Sequence, residues 1–158
     1  MLRHLLLATG LAPLLLLGTA GAEPVAESAK PAFDAELATS VGADEHGMRN
    51  YVLVVLKTGP NRMPAGPERD AMFKGHFANI NRLAAERKLA LAGPFDGVDG
   101  WRGMFVFAVK DIEEAKALVA TDPVIINGEM VAEYHKYYGS AALMLVNEAH
   151  QRVTKTAF

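Results

Sequence analysis

Apolar residues recur along the chain with two different periods, and the changes of period mark the elements of a folded domain. Four short runs rich in β-branched and aromatic residues predict strands. These runs are residues 51–56 (YVLVVL), 89–92 (LALA), 104–109 (MFVFAV) and 131–138 (VAEYHKYY). Glycine and proline separate them from the neighbouring segments, which places turns and loops between the strands.

Apolar residues three and four positions apart predict helices between these strands. The longest helix covers residues 68–88 and is on the order of 30 Å long. A second helix begins at Asp111, with Glu114 in a capping-box position, and ends at Asp122 because Pro123 follows. Two further helices flank the core, a short one over residues 34–40 and a final one over residues 140–152.

The predicted order of core elements is β-α-β-β-α-β, which is typical of the split βαβ or ferredoxin-like plait. The sequence therefore predicts an α+β fold with a four-stranded antiparallel sheet. Residues 51–56 and 104–109 do not alternate apolar and polar positions, so large hydrophobic side chains lie on both faces of the sheet. Two helices cover only one face, and a second copy of the sheet is the simplest cover for the other. We expect a homodimer; the alternative is a monomer whose terminal extensions fold over that face.

The first residues have the pattern of a secretory signal peptide. Arg3 precedes an apolar run over residues 5–17, and Ala20-Gly21-Ala22 supplies small residues for cleavage after Ala22. The alternative is a membrane anchor, but the run is shorter than the about 20 residues that a membrane span needs. We expect a periplasmic or secreted protein without a stable membrane anchor after cleavage.

The chain then divides into four segments. They are the signal peptide over 1–22, an N-terminal arm with a short helix over 23–50, the globular domain over 51–139, and a C-terminal helical extension over 140–158. A total of 158 residues suits one ordinary domain.

Composition and charge exclude several classes of protein. Hydrophobic residues make up 51% of the chain, which excludes a disordered, collagen-like or coiled-coil protein. The net charge of −2 gives no excess of positive charge of the kind that binds nucleic acid. The chain has no cysteine, which excludes disulfides, a thiolate nucleophile and cysteine-bound zinc.

No cofactor or metal ion is expected from the motifs of the chain. No glycine-rich phosphate loop follows a strand, and no nucleophile elbow is present. The histidines after the signal peptide have no metal-ligand spacing on one element; they are His46, His76, His135 and His150.

His76 is the first candidate for chemistry, because it lies on the apolar stripe of the long helix. Phe73 precedes it by three residues and Ile80 follows it by four, so its ring points towards the sheet. An imidazole beside a carboxylate is fixed in one tautomer and becomes a better base. The alternative is a buried neutral histidine that bonds to the backbone.

A set of ordered motifs resembles the YCII-related (YciI-like) family over roughly residues 51–139. The set comprises Gly75-His76-Phe77, residues 91–95 (LAGPF), residues 103–107 (GMFVF), Glu114-Ala115 and residues 121–123 (TDP). The flanks, residues 42–48 (GADEHGM) and 138–142 (YGSAA), resemble an exported subgroup.

The resemblance implies a ferredoxin-like plait that dimerises into an α/β barrel, with a His/Asp pair in a cleft under the sheet. The histidine falls on His76 and the aspartate of the Asp-Pro motif on Asp122. Related chlorinated-aromatic dehydrochlorinases imply that this scaffold can host lyase chemistry. From the residues alone, Asp122 has the alternative role of closing a turn through its own side chain.

Six further residues are expected to bind substrate: Arg62, Gly93, Pro94, Phe95, His135 and Tyr138. Arg62 can hold an anionic group, and Gly93-Pro94 can let the backbone approach a ligand. The alternatives are an exposed loop arginine, a turn that ends a strand, and cross-strand packing of His135 and Tyr138.

We therefore expect a small exported enzyme that acts on an organic molecule without a cofactor. His76 is expected to be the general base, oriented by Asp122, in an elimination or isomerisation. One alternative is a non-catalytic homodimer of the cell envelope that binds small molecules. A third possibility is a structural protein with a vestigial pocket.

Overall fold

The computed structural model describes residues 31–156. The expected signal peptide, its cleavage after Ala22 and residues 23–30 of the arm lie outside the described residues. The chain divides into two units between Ala32 and Phe33, and everything below concerns the unit that begins at Phe33.

Four antiparallel strands form a single sheet in the order β2-β3-β1-β4. Their bounds are β1 Met48–Thr58, β2 Leu89–Pro94, β3 Trp101–Phe107 and β4 Met130–Ser140. The helices are α1 Ala35–Val41, α2 Pro67–Ala85, α3 Ile112–Val119, α4 Pro123–Ile126 and α5 Val146–Val153, with 3₁₀ turns at Val98–Gly100 and Ala141–Leu145. Helix α2 connects β1 to β2, and α3 with α4 connects β3 to β4. The predicted α+β class and ferredoxin-like order are confirmed.

Strands β1, β3 and β4 begin or end outside the apolar runs that predicted them. β1 and β4 pair without interruption from Met48 opposite Ser140 to Thr58 opposite Met130. β3 begins at Trp101, three residues before the apolar run 104–109 that predicted it. Backbone pairing continues through these polar or glycine-containing ends because a ladder needs backbone groups and not apolar side chains.

Two helices depart from their predicted form. α3 ends at Val119, and Asp122 then begins a separate short helix, α4, by accepting a hydrogen bond from the Val124 N–H at 3.1 Å. Proline at the first position of α4 is favourable, since its missing N–H has no partner there in any helix. The predicted final helix is divided into a 3₁₀ turn and α5.

One face of the sheet, here called the inner face, packs against α2, α3 and α4. β1 contributes alternate residues to it, and the buried cluster is Val52, Val54, Leu56, Met72, Leu83, Leu89, Phe105, Phe107, Val109, Ala115, Val119, Val124 and Met130. Phe107 is fully buried, and its truncation to alanine is expected to cost about 3–5 kcal/mol. This packing fixes α2 over the middle of the sheet.

The opposite face, here called the outer face, is covered in part by the terminal extensions. Val41 from α1 and Met144 from the 3₁₀ turn after β4 pack with Tyr51 and Val106 of the sheet. The terminal extensions therefore fold over one region of the outer face. This is the arrangement that was the alternative to a sheet-to-sheet dimer. Another region of the sheet keeps exposed aromatic and aliphatic side chains, namely Trp101, Val131 and Tyr137.

Candidate active site

Helix α2 positions His76 because its buried residues repeat at helical spacing. Met72, His76, Asn79 and Leu83 are its buried residues, and intervals of four, three and four place them on one side. That side faces the inner face of the sheet, where the His76 and Phe105 ring centroids lie 6.0 Å apart. An imidazole is thereby placed within an apolar layer.

Asp122 reaches the same layer from the connection between α3 and α4. It is fully buried, and its Oδ1 atom accepts the Val124 N–H that caps α4. Both roles considered for this residue therefore occur in its geometry, because it closes the turn and contacts His76.

The His76 ring and the Asp122 carboxylate form a direct buried pair. Nδ1 of His76 lies 2.9 Å from Oδ1 and 2.8 Å from Oδ2 of Asp122. An ionised carboxylate only accepts hydrogen bonds, so Nδ1 donates. In the neutral ring this tautomer leaves Nε2 with a free lone pair, which is the state that a general base requires. Within residues 31–156 no hydrogen bond engages Nε2, and 9% of the side chain remains exposed.

Aromatic rings surround the imidazole. Phe73 meets it edge-on with centroids 6.1 Å apart, and the Phe77 centroid lies 5.4 Å away. Phe77 is 40% exposed, whereas Phe105 on the sheet side is buried. These aromatic rings lower the polarity around the imidazole, which strengthens the attraction between the Asp122 carboxylate and a protonated His76.

Asn79 and its neighbours orient the pair and were not singled out from the sequence. The Asn79 amide nitrogen lies 3.4 Å from Asp122 Oδ2. Its carbonyl oxygen accepts from the Arg82 guanidinium at 2.7 Å and the Thr121 hydroxyl at 3.2 Å, which keeps the amide nitrogen turned towards Asp122. A polar residue three positions after His76, on the same side of the helix, is the signal that could have identified Asn79.

A second buried acid, Glu129, lies just before β4 and was also missed. Its Oε1 atom accepts from Arg69 at 2.9 Å, and its Oε2 atom accepts from the Met63 backbone N–H at 2.8 Å. The Arg102 guanidinium lies 3.8 Å from Oε1. Burial alone would raise the pKa of Glu129, but the bonds from Arg69 and Met63 and the charges of both arginines hold it below the ordinary value.

Glycines bring the end of β1 against the backbone that carries Glu129. The Gly59 N–H donates to the Glu129 carbonyl at 2.9 Å. A Cβ at Gly59 would lie 2.1 Å from the Gly128 carbonyl oxygen, so no other residue fits without a backbone shift. This close approach places the loop after β1, including Met63, beside Glu129.

The residues expected to bind substrate are distributed over several places. Arg62 is exposed in the loop after β1, next to Met63. Gly93 and Pro94 follow Ala92, the register partner of Phe105, and a Cβ at Gly93 would meet no atom within 4 Å. Phe95 contacts Trp101 with ring centroids 5.5 Å apart, at a cavity of about 190 Å³ in the β2–β3 connection.

His135 and Tyr138 are not brought to His76. His135 pairs with Leu53 on the outer face, so the sheet separates it from His76. Tyr138 lines a cavity of about 480 Å³ near the start of β1. There it donates to Asp44 at 2.5 Å, and this bond raises the pKa of Tyr138 and lowers the pKa of Asp44.

The described part of the chain contains neither a group of metal ligands nor a helix that could span a membrane. Among residues 31–156, no three or more His, Asp or Glu side chains are grouped so that they could bind a metal ion. No helix in the same range combines the length and apolar character needed to cross a membrane.

Comparison with known proteins shows a family and a relative to which this chain is similar. The sequence profile of the YCII-related domain matches residues 50–135, a range that contains both His76 and Asp122. The uncharacterized protein YjpA of Bacillus subtilis (strain 168) is 35% identical over 54 residues, which are 34% of this chain. The aligned part spans 61% of the length of that relative.

Proposed function

Because the chain belongs to the YCII-related domain family, we propose that it is a cofactor-free enzyme of lyase or isomerase type that acts on a small organic molecule. His76 is the general base, and Asp122 holds it in the reactive tautomer. The observation that supports this proposal is the contact of Nδ1 with both Asp122 oxygens, at 2.8 and 2.9 Å, while Nε2 makes no hydrogen bond within residues 31–156.

The chemistry begins with transfer of a proton to Nε2 of His76. The proton comes from a phenol or from a carbon next to a carbonyl group, and the electron pair of the broken bond stays on the substrate. The imidazolium that forms is stabilised by the buried Asp122 carboxylate. Loss of a leaving group completes an elimination, and return of the proton to another atom completes an isomerisation. A positioned base of this kind typically increases the reaction rate by about 10²- to 10⁴-fold.

Deuterium exchange tests proton abstraction before the natural substrate is identified. The protein is incubated in D₂O with a panel of carbonyl compounds that carry a C–H bond next to the carbonyl group, and loss of that C–H signal is followed by NMR. We expect exchange with the wild-type protein and its loss in His76→Gln. The matched control is His150→Gln, since His150 is exposed on α5 and its ring lies within hydrogen-bond distance of the neighbouring Thr154 hydroxyl. Equal exchange in wild type and His76→Gln would contradict the proposal.

A non-catalytic binding protein is the second candidate. Its support is the burial of His76, which is 7% exposed, and the position of both described cavities, neither of which His76 lines. A binding module predicts ligand affinity that does not change between about pH 5 and 8, because no histidine titration affects it. An enzyme that depends on His76 predicts instead that deuterium exchange is lost in His76→Gln.

We further propose that the protein forms a homodimer through the open region of its outer face. This region carries Trp101, Val131 and Tyr137, which are 42%, 45% and 38% exposed. An ion pair between Lys57 and Glu133 at 2.7 Å lies beside them. Analytical ultracentrifugation should find a dimer for the wild type and a monomer for Val131→Glu. A wild-type monomer would contradict this proposal.

Export is proposed from residues 1–22 alone. Mass spectrometry of the protein recovered from a secreting bacterial host should find a chain that begins at Glu23. A chain that retains residues 1–22 would contradict cleavage after Ala22.

A further inference from the structure

The cluster around Glu129 holds more positive than negative charge. One buried carboxylate faces two guanidinium groups, those of Arg69 and Arg102. The Arg69 and Arg102 side chains are only 25% and 20% exposed, so a permanent charge on each is partly removed from water. One carboxylate neutralises one arginine, which leaves one positive charge without a counter-ion in the cluster.

The two arginines also keep free hydrogen-bond donors. Each guanidinium has five N–H donors. Arg69 uses one on Glu129, whereas Arg102 lies beyond hydrogen-bond distance of it, at 3.8 Å. In the described part of the chain, neither arginine has a fully buried side-chain nitrogen without a partner, so their remaining donors are accessible to solvent. Donors of this kind can bind a ligand.

Phe73 connects this cluster to the candidate base. The Arg69 guanidinium lies over the Phe73 ring at 4.7 Å from the centroid, and the same ring meets His76 edge-on at 6.1 Å. Arg69, Phe73 and His76 are separated by four and three residues on α2, so they share one side of the helix.

We propose that Arg69 and Arg102 form a subsite for a carboxylate group of the substrate, on an apolar or aromatic body that lies along Phe73. The proposal rests on the proposed function of His76 and adds the class of its substrate. Glu129 is a positioning residue that holds the guanidinium groups and neutralises one of them. The planar fork of arginine matches the two oxygens of a carboxylate, and the Phe73 ring supplies an apolar contact.

Binding of benzoate, compared with inorganic phosphate, tests the subsite. Arginine Nε–Hε signals of the ¹⁵N-labelled protein report on Arg69 and Arg102, and imidazole signals report on His76. We expect saturable binding of benzoate that shifts both sets of signals, and weaker binding of phosphate because it has no apolar body. Absence of saturable benzoate binding at millimolar concentration, or equal binding of phosphate, would overturn the proposal.

Arg102→Gln is the decisive variant because it leaves the hydrogen bond between Arg69 and Glu129 in place. We expect benzoate affinity to fall about tenfold. Thermal stability should remain near that of the wild type. Arg152→Gln is the matched control, since Arg152 is exposed on α5 and should not alter binding. Unchanged affinity in Arg102→Gln would overturn the subsite.

The two reporters distinguish failure of the subsite from failure of the proposed function. Benzoate that shifts the arginine signals but not those of His76 leaves the anion subsite intact and contradicts a shared substrate cleft. Benzoate that shifts His76 but neither arginine contradicts the subsite and leaves His76 as a candidate base.

Discussion

Two buried acidic residues lie at the ends of the segment that contains α4, and they differ in the type of basic side chain that each one contacts. Asp122 and Glu129 are both fully buried, and each accepts one backbone N–H, from Val124 and from Met63. The remaining bonds of Asp122 go to His76 and Asn79. Those of Glu129 go to an arginine, with a second arginine nearby.

The partner decides what each acid can do. Arginine remains protonated under all ordinary conditions, so the Glu129 cluster is a fixed charge arrangement. Nε2 of His76 makes no hydrogen bond within residues 31–156, so the proposed proton transfer is assigned to the Asp122 pair. The two roles that we propose, positioning at Glu129 and chemistry at Asp122, follow from this difference between the partners.

Truncation of Glu129 is expected to have the largest effect on stability. Glu129→Ala leaves Arg69 and the Met63 N–H without their acceptor and removes the negative charge that faces Arg102, so it should lower the free energy of unfolding by about 3 kcal/mol at neutral pH. Urea denaturation monitored by circular dichroism measures this change. A loss below about 0.5 kcal/mol would show that the cluster is not a fixed charge arrangement.

At the other acidic residue, Asp122→Asn is expected to slow proton transfer strongly while changing the stability of the fold only a little. The amide oxygen can still accept the Val124 N–H, so the free energy of unfolding should change by only about 1 kcal/mol. The orienting charge is lost, and deuterium exchange should slow about 100-fold. A rate close to that of the wild type would remove the functional difference between the two acids.

The pH dependence of stability reports on Glu129 through its lowered pKa. Folding favours the ionised form, so its stabilisation is fully present above the unfolded-state pKa and is lost as the pH falls through the lower folded-state pKa. The difference in unfolding free energy between wild type and Glu129→Gln should be constant near neutral pH and shrink in acid below the ordinary value of 4.5. A difference that grows in acid would have the wrong sign.

The smallest expected change in the free energy of unfolding is that for an exposed acidic residue. Glu133 pairs with Lys57 at 2.7 Å, but its side chain is 49% exposed. Glu133→Ala should change the free energy of unfolding by less than about 0.5 kcal/mol, because water screens the pair. A loss as large as that of Glu129→Ala would show that burial is not what separates these acids.

The sequence predicted the fold well because each element has its own periodic signal. The strand at residues 51–56 and the helix at residues 68–88 both occur, with ends that differ by a few residues. The continuation of β1 to Thr58 was missed because its last residues pair through the backbone and carry no apolar pattern. Asp122 was recognised beside a proline, but the short helix α4 that it caps has too few residues for a periodic signal.

The candidate site was predictable only in part. The resemblance identified His76 and Asp122, and the structure brings them into contact. Arg69, Arg102 and Glu129 come from three distant segments that only the tertiary fold brings together, so no local spacing marks them. Conversely, His135 resembles a pocket residue in sequence but lies across the sheet, because side chains alternate between the two faces of a strand.

Direct ¹⁵N NMR of the His76 imidazole is the most decisive measurement for its role as a base. At neutral pH, Nδ1 should carry a proton that it donates to Asp122, and Nε2 should be unprotonated. The opposite tautomer, or a His76 that stays doubly protonated across the neutral range, would contradict the assignment of His76 as a general base.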